Sequence, residues 1–587
     1  MPPRLLAGLT AALLAGSMVA PATVWAQSGD VDAGSILRQE EALQRPEPAP
    51  LPELEEEAPL PELTGIGETT VEVRRIEFTG DTDLAEAAGL AEAVADGIGR
   101  ELDFEGLQAL AERATRKLKD EGWVLARAFL PEQDVTDGVI TIQVVPGRLD
   151  TQGRAFRIEA LGARPLRINP ERLGRILTAL IPEGEPVRQA DLDRAILLIN
   201  DLPGIDALAR LEAGEAPGST HILLSVREGP LYSGSTNASN HGSRSTGEER
   251  VGLTGNLNDP LGVGDQLTLA LTGAEGLDLA QLNYRHPLGA SGLMLDLSRT
   301  ELRYELVTGG GAGDFDGEST TNAAALDYPL VRSQQTNLRL GYDWGQDALE
   351  DRAEDQVYSD KRVTFHGPTL RADHTDQVFG PAGRTNLSLA PIWGDVELRA
   401  LPGGAAPADE LDTEGAFGKL EYSLSRLQSL GAFPLTFYTE LRGQMARNNL
   451  DSSQSFQPGG PSGVRAYPGG EASADEGYLF RAELRYQMPA EWVGIGSLRL
   501  SAFYDTAQVR LHHDRPAGYE IDTATGRNSY RIEGAGVGLT FTRSDWLSVT
   551  LTWAAAIGDN PGRDINGNNS DGRDDDHRAW LQAVVRL

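Results

Sequence analysis

The chain has 587 residues, no cysteine, and a net charge of −35 from 87 acidic against 52 basic side chains. The length exceeds one ordinary domain. Without cysteine there are no disulfide scaffolds, thiolate metal sites or cysteine nucleophiles, and so acidic a balance argues against nucleic acid, whose phosphates need clustered Lys and Arg. No internal run of about eighteen apolar residues offers a helical membrane span. A membrane β-barrel stays open, because its strands are short and apolar on one face only.

Residues 1–26 read as a secretory signal: Arg4 gives the positive end, Leu5 to Val19 the apolar stretch, and Val24-Trp25-Ala26 the small residue for cleavage. Residues 27–70 hold a short segment of helical spacing, Val31 to Leu43, and an extended Pro/Glu-rich linker, Pro46 to Pro61. A helix on such a tether can be mobile.

Residues 71–149 and 150–229 read as two β-α-α-β-β units in tandem. In the first, strands are expected at Val71–Phe78, Val124–Leu130 and Val139–Val145, with helices at Asp83–Ile98 and Phe104–Glu121. In the second, strands are expected at Phe156–Leu161, Ile205–Glu212 and Thr220–Val226, with helices at Pro170–Leu180 and Gln189–Asn200. Each unit should leave a strand edge able to accept an extended peptide.

From residue 230 to 587 helical periodicity gives way to alternation. Leu338, Leu340, Tyr342 and Trp344 oppose Asn337, Arg339 and Asp343; Leu547, Val549, Leu551 and Trp553 oppose Ser548, Thr550 and Thr552. An aliphatic and aromatic face set against a charged one fits lipid outside and a wet lumen inside. At roughly 10 residues per strand plus connections, Leu231–Leu587 has room for about sixteen strands. Pro260-Leu261-Gly262 and Pro287-Leu288-Gly289 read as tight periplasmic turns, and Gly309–Gly317, Gln346–Tyr358 and Gly562–Asp576 as external loops.

One Gly/Pro-rich stretch, near 452–477, is long enough to fold back into such a lumen. It carries Val464-Arg465-Ala466-Tyr467, and a following strand places Phe503 and Asp505 on its polar face. Arg465 is expected to meet Asp505; at 4 Å and an effective dielectric near 20 their attraction is about 4 kcal/mol before desolvation. Alternating Gly534, Gly536 and Gly538 would leave room for the folded-in loop. No Gly-x-Ser-x-Gly, His-Glu-x-x-His or P-loop occurs, so neither an enzyme nor a cofactor is expected. His512-His513-Asp514 lacks further ligands, and Asp564–Asp575 fails the calcium-loop pattern because Asn569 stands at its glycine position.

These motifs together resemble the outer-membrane transporters of two-partner secretion. Gly122-Trp123, Arg127, Leu130-Pro131-Glu132-Gln133 and Pro146-Gly147-Arg148 resemble the signature of the first periplasmic POTRA domain. Asn200-Asp201-Leu202-Pro203-Gly204 resembles part of the second, and Asn258 to Asp265 the first barrel hairpin. Val464-Arg465-Ala466-Tyr467 resembles the family's loop-tip motif and Phe503-Tyr504-Asp505 its barrel-wall motif, with Ala466 where the family usually has glycine. The tip must then avoid backbone conformations that favour glycine. The resemblance implies a sixteen-stranded membrane barrel, two POTRA domains, an N-terminal helix that can plug the pore, and an inward sixth loop whose arginine contacts the wall aspartate. It implies a monomer in the outer membrane of a Gram-negative bacterium, inserted by the barrel-assembly machinery, that exports a haemolysin- or adhesin-like partner exoprotein. A barrel-assembly factor of the same superfamily and a plain porin are the alternatives.

Overall fold

The computed structural model describes residues 31–45, 70–151, 155–162, 164–214, 219–308, 315–431 and 433–587. The expected signal (1–26), the linker from Pro46 to Pro61 and residues 309–314 of the first expected external loop lie outside the described residues.

The chain order is a lone helix, two small α/β modules and a large barrel. The helix, Ala33–Leu43, starts at Asp32, whose carboxylate accepts the Ser35 N–H at 2.8 Å. In the first module, Val139–Val145 lies between Arg75–Gly80, parallel to it, and Arg127–Phe129, antiparallel. The helix Phe104–Asp120 buries Leu107, Leu110, Ala114 and Leu118 against Ile140, Ile142 and Val144. Three expectations need correction. The expected strand Val71–Phe78 is split, with Val71–Glu72 pairing to Glu101–Leu102, because Val73 turns into the core. The expected helix Asp83–Ile98 breaks at Gly89, which takes the left-handed conformation (φ 65) that glycine accepts. The expected strand Val124–Leu130 shortens to Arg127–Phe129.

The second module repeats the plan: Ser219–Glu228 lies between Phe156–Ala160 and Ile205–Ala213, over the helices Pro170–Leu180 and Gln189–Asn200. Arg148–Leu149 pairs with Ser219 and Thr220, and Leu149 is buried in this core, so the second unit begins before residue 150.

The barrel closes sixteen antiparallel strands, the first (Tyr232–Ser239) pairing with the last (His577–Arg586). Leu269, Leu271, Leu340, Trp344, Leu551, Trp553 and Leu581 stand exposed on its outer face, as a lipid-facing band requires. The tight turn at Pro260-Leu261-Gly262 faces the second module, as does the next one, which starts only at Gly289 because Pro287 and Leu288 still pair within the strand Leu277–Leu288: the Asn169 N–H donates to the Gly262 carbonyl (2.9 Å), and Arg172 donates to the carbonyls of Pro287 and Gly289 (both 3.1 Å). The stretch Gln346–Tyr358 is not a loop. The strands Thr336–Ala353 and Gln356–Asp376 run through it and turn at Glu354-Asp355, with φ 48 and 63. Its acids alternate, and Asp347 and Asp351 are buried inward, where the N-terminal helix meets them.

The face assignment is testable. Leu551→Arg should cost about 2–4 kcal/mol near the midplane, whereas Thr550→Arg on the lumenal side should cost far less. Urea unfolding of the lipid-reconstituted barrel reads both, and equal costs would contradict the alternation.

Candidate functional site

The strands Leu435–Ala446 and Glu476–Gln487 are joined by a long loop that turns back into the lumen. Its backbone closes on itself. Phe456 and Ala474 exchange N–H···O bonds at 2.7 and 2.9 Å, and the Val464 N–H donates to the Pro458 carbonyl at 2.7 Å. This internal pairing lets a loop enter a lumen without leaving backbone groups unmet. Val464, Ala466 and Tyr467 are buried in one apolar cluster with Phe456, Phe503, Tyr530, Ile532 and Ala554.

Arg465 sits at the tip. Its Nε and Nη2 donate to the two oxygens of Asp505, both at 2.8 Å, and its backbone N–H reaches the same carboxylate at 3.2 Å. Nη1 donates to Glu483 at 2.8 Å, and the guanidinium stacks over the Phe503 ring, 3.3 Å from its centroid. The Arg465 carbonyl accepts the Trp580 indole N–H at 2.8 Å, which ties the tip to the last strand. Arg481 lies 3.7 Å from Asp505 and 3.4 Å from Glu440, and Arg485 lies 2.9 Å from Glu483. Three cations thus interleave with three anions. The Asp505 side chain is wholly buried and that of Arg465 is 8 % exposed, so the contact is not the solvated pair of a wet pore. Removing one partner of such a buried pair strands the other's charge at a cost of about 3–5 kcal/mol.

Ala466, where glycine was usual, is accommodated by two features. Its φ is not positive, so the backbone needs no glycine there. Across from it stands Gly534, where an added Cβ would lie 2.6 Å from the Ala466 methyl. Gly536 serves differently: a Cβ there would overlap the Trp553 carbonyl of the next strand and meet the Phe503 ring edge at 2.6 Å. Farther up the loop, Glu471 accepts from Asn560 (2.6 Å) and from the Ser570 N–H (2.7 Å), which joins it to the loop of Gly562–Asp576; burial raises its carboxyl above the ordinary range against those bonds.

The N-terminal helix lies in the same lumen, against the inward loop. Asp32 accepts from Lys361 (3.1 Å) and Ser452 (2.6 Å), and the Ala33 N–H donates to Asp351 (2.8 Å). Arg38 reaches Glu421 (2.9 Å) and the Ser455 carbonyl (3.2 Å), Gln457 donates to the Ser35 carbonyl (3.0 Å), and Glu40 pairs with Arg250. Gly34 packs on the loop's short turn Ser452–Gln454, where a Cβ would meet the Ser453 nitrogen at 2.7 Å.

The signature residues of the first module do not join this site. Gly122 turns the chain at φ 87 after its helix, and its carbonyl accepts the Gln189 N–H of the second module at 2.8 Å. The Gln133 side chain accepts the Thr141 N–H (2.6 Å) and donates to its carbonyl (2.7 Å), imitating a strand partner. Arg127 is exposed on its strand, while Leu130 packs on the core beside the half-buried Pro131. Among the described residues His512, His513 and Asp514 build no metal-ligand group; His513 Nδ1 meets Glu476 at 2.7 Å. Sequence reading assigned no partner role to Glu483, Trp580, Lys361, Asp351, Glu421 or Arg250. The first shows itself only as a charge on a lumenal face.

Residues 218–541, more than half of the chain, match the model of the haemolysin secretion/activation protein family ShlB/FhaC/HecB. The chain belongs to this family. Residues 71–147 match a POTRA domain of the ShlB type. The heme/hemopexin transporter protein HuxB of Haemophilus influenzae (strain 86-028NP) is 24% identical over 84% of this chain and 83% of its own. The outer membrane transporter CdiB of Escherichia coli O6:K15:H31 is 25% identical over 89% and 87%. The solved structure of CdiB from Escherichia coli shares the fold, with a TM-score of 0.66 and 21% identity over 94% of this chain and 95% of that one; CdiB from Acinetobacter baumannii follows at 0.59 and 15% over 94% and 96%. This family member is an outer-membrane protein transporter of the two-partner secretion type, with its POTRA domains in the periplasm.

Two substitutions test the tip geometry. In a double-mutant cycle, Arg465→Ala and Asp505→Ala should each destabilise the folded barrel by about 3–5 kcal/mol, and together by far less than the sum; additive losses in urea unfolding would refute the pairing. Gly534→Ala should loosen the tip, and adding Ala466→Gly should restore it. Urea unfolding reads both, and a silent Gly534→Ala would contradict the packing.

Proposed function

We propose that this transporter exports a large partner exoprotein, of haemolysin or adhesin type, in unfolded form. The reading is carried by one observation: the sixteen-stranded lumen holds a helix and an inward loop, each packed against the wall side chains and neither part of the wall itself. A filling that belongs to the wall is permanent. A helix held by Asp32–Lys361, Arg38–Glu421 and Glu40–Arg250 can exchange those pairs for water and leave. The hemolysin transporter protein ShlB of Serratia marcescens, 22% identical over 70% of this chain, supports the class of cargo.

The POTRA domains offer the capture surface. Their sheets end in the edge strands Arg75–Gly80, Phe156–Ala160 and Ile205–Ala213, to which an extended peptide can add by main-chain hydrogen bonds. No nucleotide site is read in the sequence; folding of the cargo outside would hinder its return and give direction. On this reading Arg465 and Asp505 shape the lumen through which the cargo passes, no catalytic group takes part, and outer-membrane lipid and the assembly machinery are the remaining partners.

Deleting residues 33–43 should raise the steady conductance of single channels in planar bilayers. Arg465→Ala or Asp505→Ala should lower secretion of the partner while the barrel keeps its heat-modifiable mobility on gels. Undiminished secretion by both variants would overturn the role of the tip. A chain that secretes no partner, and binds none when mixed with it, would overturn the export reading.

A further inference from the structure

Two motifs far apart in sequence are halves of one joint. Asn200-Asp201-Leu202-Pro203-Gly204 follows the second helix of the second POTRA domain; Asn258 to Asp265 forms the first periplasmic turn of the barrel. Leu202 lies over Gly264. That glycine has φ 78, and a Cβ on it would sit 2.9 Å from the leucine Cδ2, so the turn needs glycine for its backbone and for its neighbour. Gly204, at φ 73, lies in the same way against Asn258, whose Cβ would be 3.2 Å from an added one.

The polar half of the joint is Asp201. Asn200 spends its amide within its own domain, accepting the Ala207 N–H at 2.6 Å and donating to the Ala207 carbonyl at 3.2 Å. Asp201 faces the barrel. It accepts Arg332 Nε and Nη2 at 3.0 and 2.8 Å, and Arg339 Nη2 at 2.8 Å. Arg339 continues to Asp327 at 2.6 Å, and Asp327 to Arg371 at 3.4 Å. The three groups of the joint are 25, 18 and 29 % exposed. Pairs so wetted hold little energy singly, but a carboxylate shared by two guanidinium forks fixes orientation.

Behind the joint lies a vestibule of about 550 Å³. The POTRA domain gives it Ile176, Leu198 and Leu202 beside Arg172 and Asp201; the barrel gives it the charged wall of Asp327, Arg339 and Arg371. Directly after Gly204 begins the edge strand Ile205–Ala213, with Leu208 and Leu211 exposed on it. A peptide added to that edge therefore has one end at the joint and at the mouth of the vestibule.

Resting on the export reading, we propose that Asp201 is a positioning residue for transport. With Leu202 and Gly264 it fixes the second POTRA domain so that an extended segment of the exported chain, lying along Ile205–Ala213, is delivered into the vestibule. Asp201 acts through the barrel contact it holds with Arg332 and Arg339, so its effect is on alignment.

The chain has no native cysteine, so spin labels at Glu171→Cys on the POTRA domain and Asp545→Cys on a distant barrel turn report their separation in the full-length, lipid-reconstituted protein. The unaltered joint should give one narrow distance distribution. Asp201→Asn should broaden it, lower the rate of partner export about tenfold, and leave the heat-modifiable mobility of the barrel and partner binding unchanged. Asp201→Glu should recover most of both readouts. A narrow distribution in Asp201→Asn, or a broad one with export at the unaltered rate, would overturn the proposal. Should Asp201→Asn fail to insert, Arg332→Gln breaks the same contact from the wall and decides by the same criteria. The distance readout needs no cargo, so a failure of the export reading, seen as no secretion by the unaltered chain, is distinguishable from a failure of the joint.

Discussion

A guanidinium buried inside a barrel has to find acceptors for its donors, and Arg465 finds them on strands close behind it in sequence. Asp505 is 40 residues away and Glu483 only 18. Loop closure over such spans is cheap, because its entropy cost rises only with the logarithm of length. The strands that hold the tip, Glu476–Gln487 and Ser497–Arg510, pair directly with each other. The inward loop and its receptor are therefore neighbours in sequence, within the second half of the barrel. The exception is Trp580, 115 residues on, which binds the tip carbonyl from the last strand and so links loop placement to closure of the cylinder.

The N-terminal helix is held differently. Its contacts to Asp351, Lys361, Glu421 and Ser452 span 318 to 420 residues, and it can dock only on a wall that already exists. Its apolar contribution is small: Ile36 and Leu37 are its large buried side chains, and burial of an aliphatic side chain is worth about 1.5–3 kcal/mol each. The rest of its hold consists of pairs whose members water can solvate separately. Gly34 and Ala33 bring its backbone close to the loop without interlocking side chains. Two occupants share one lumen: the loop, whose charge cluster lies on strands near it in sequence, and the helix, whose thin apolar contact is joined by ion pairs to distant strands, Glu40–Arg250 buried among them.

This division decides what the sequence could disclose. Alternation of faces is a local, period-two property, so the lumenal placement of Arg465's partner Asp505 was readable, as were the second module and the class of the barrel. Glu483 alternates onto one face with Arg481 and Arg485, but its role depends on register: Arg481 opposite Asp505 and Glu483 opposite Phe503. Register is a pairing property, and a shift of one residue would turn every side chain to the other face. Composition misled at Gln346–Tyr358, where acidic residues suggested an exposed loop; Asp347 and Asp351 are acidic because they meet Thr321, Tyr304 and the helix N-terminus inside the barrel. Gly89 in the first module looked like one residue of a longer helix, since a single left-handed residue leaves no periodic trace.

The net charge of −35 takes on a particular distribution in three dimensions. Along the lumen, charges come in pairs: Arg285 with Asp296 at 2.9 Å, Arg339 with Asp327 at 2.6 Å, Arg384 with Asp373 at 3.0 Å, and the interleaved cluster around Arg465. Paired charges a few ångströms apart cancel each other's field beyond about a Debye length. Such pairs present donors and acceptors together, without the single-sign potential that an unpaired charge would add. The same kind of pairing seats the arginine of the inward loop, while Asp347 and Asp351 are inward, buried acids held by hydrogen bonds from Thr321, Tyr304 and the helix N-terminus.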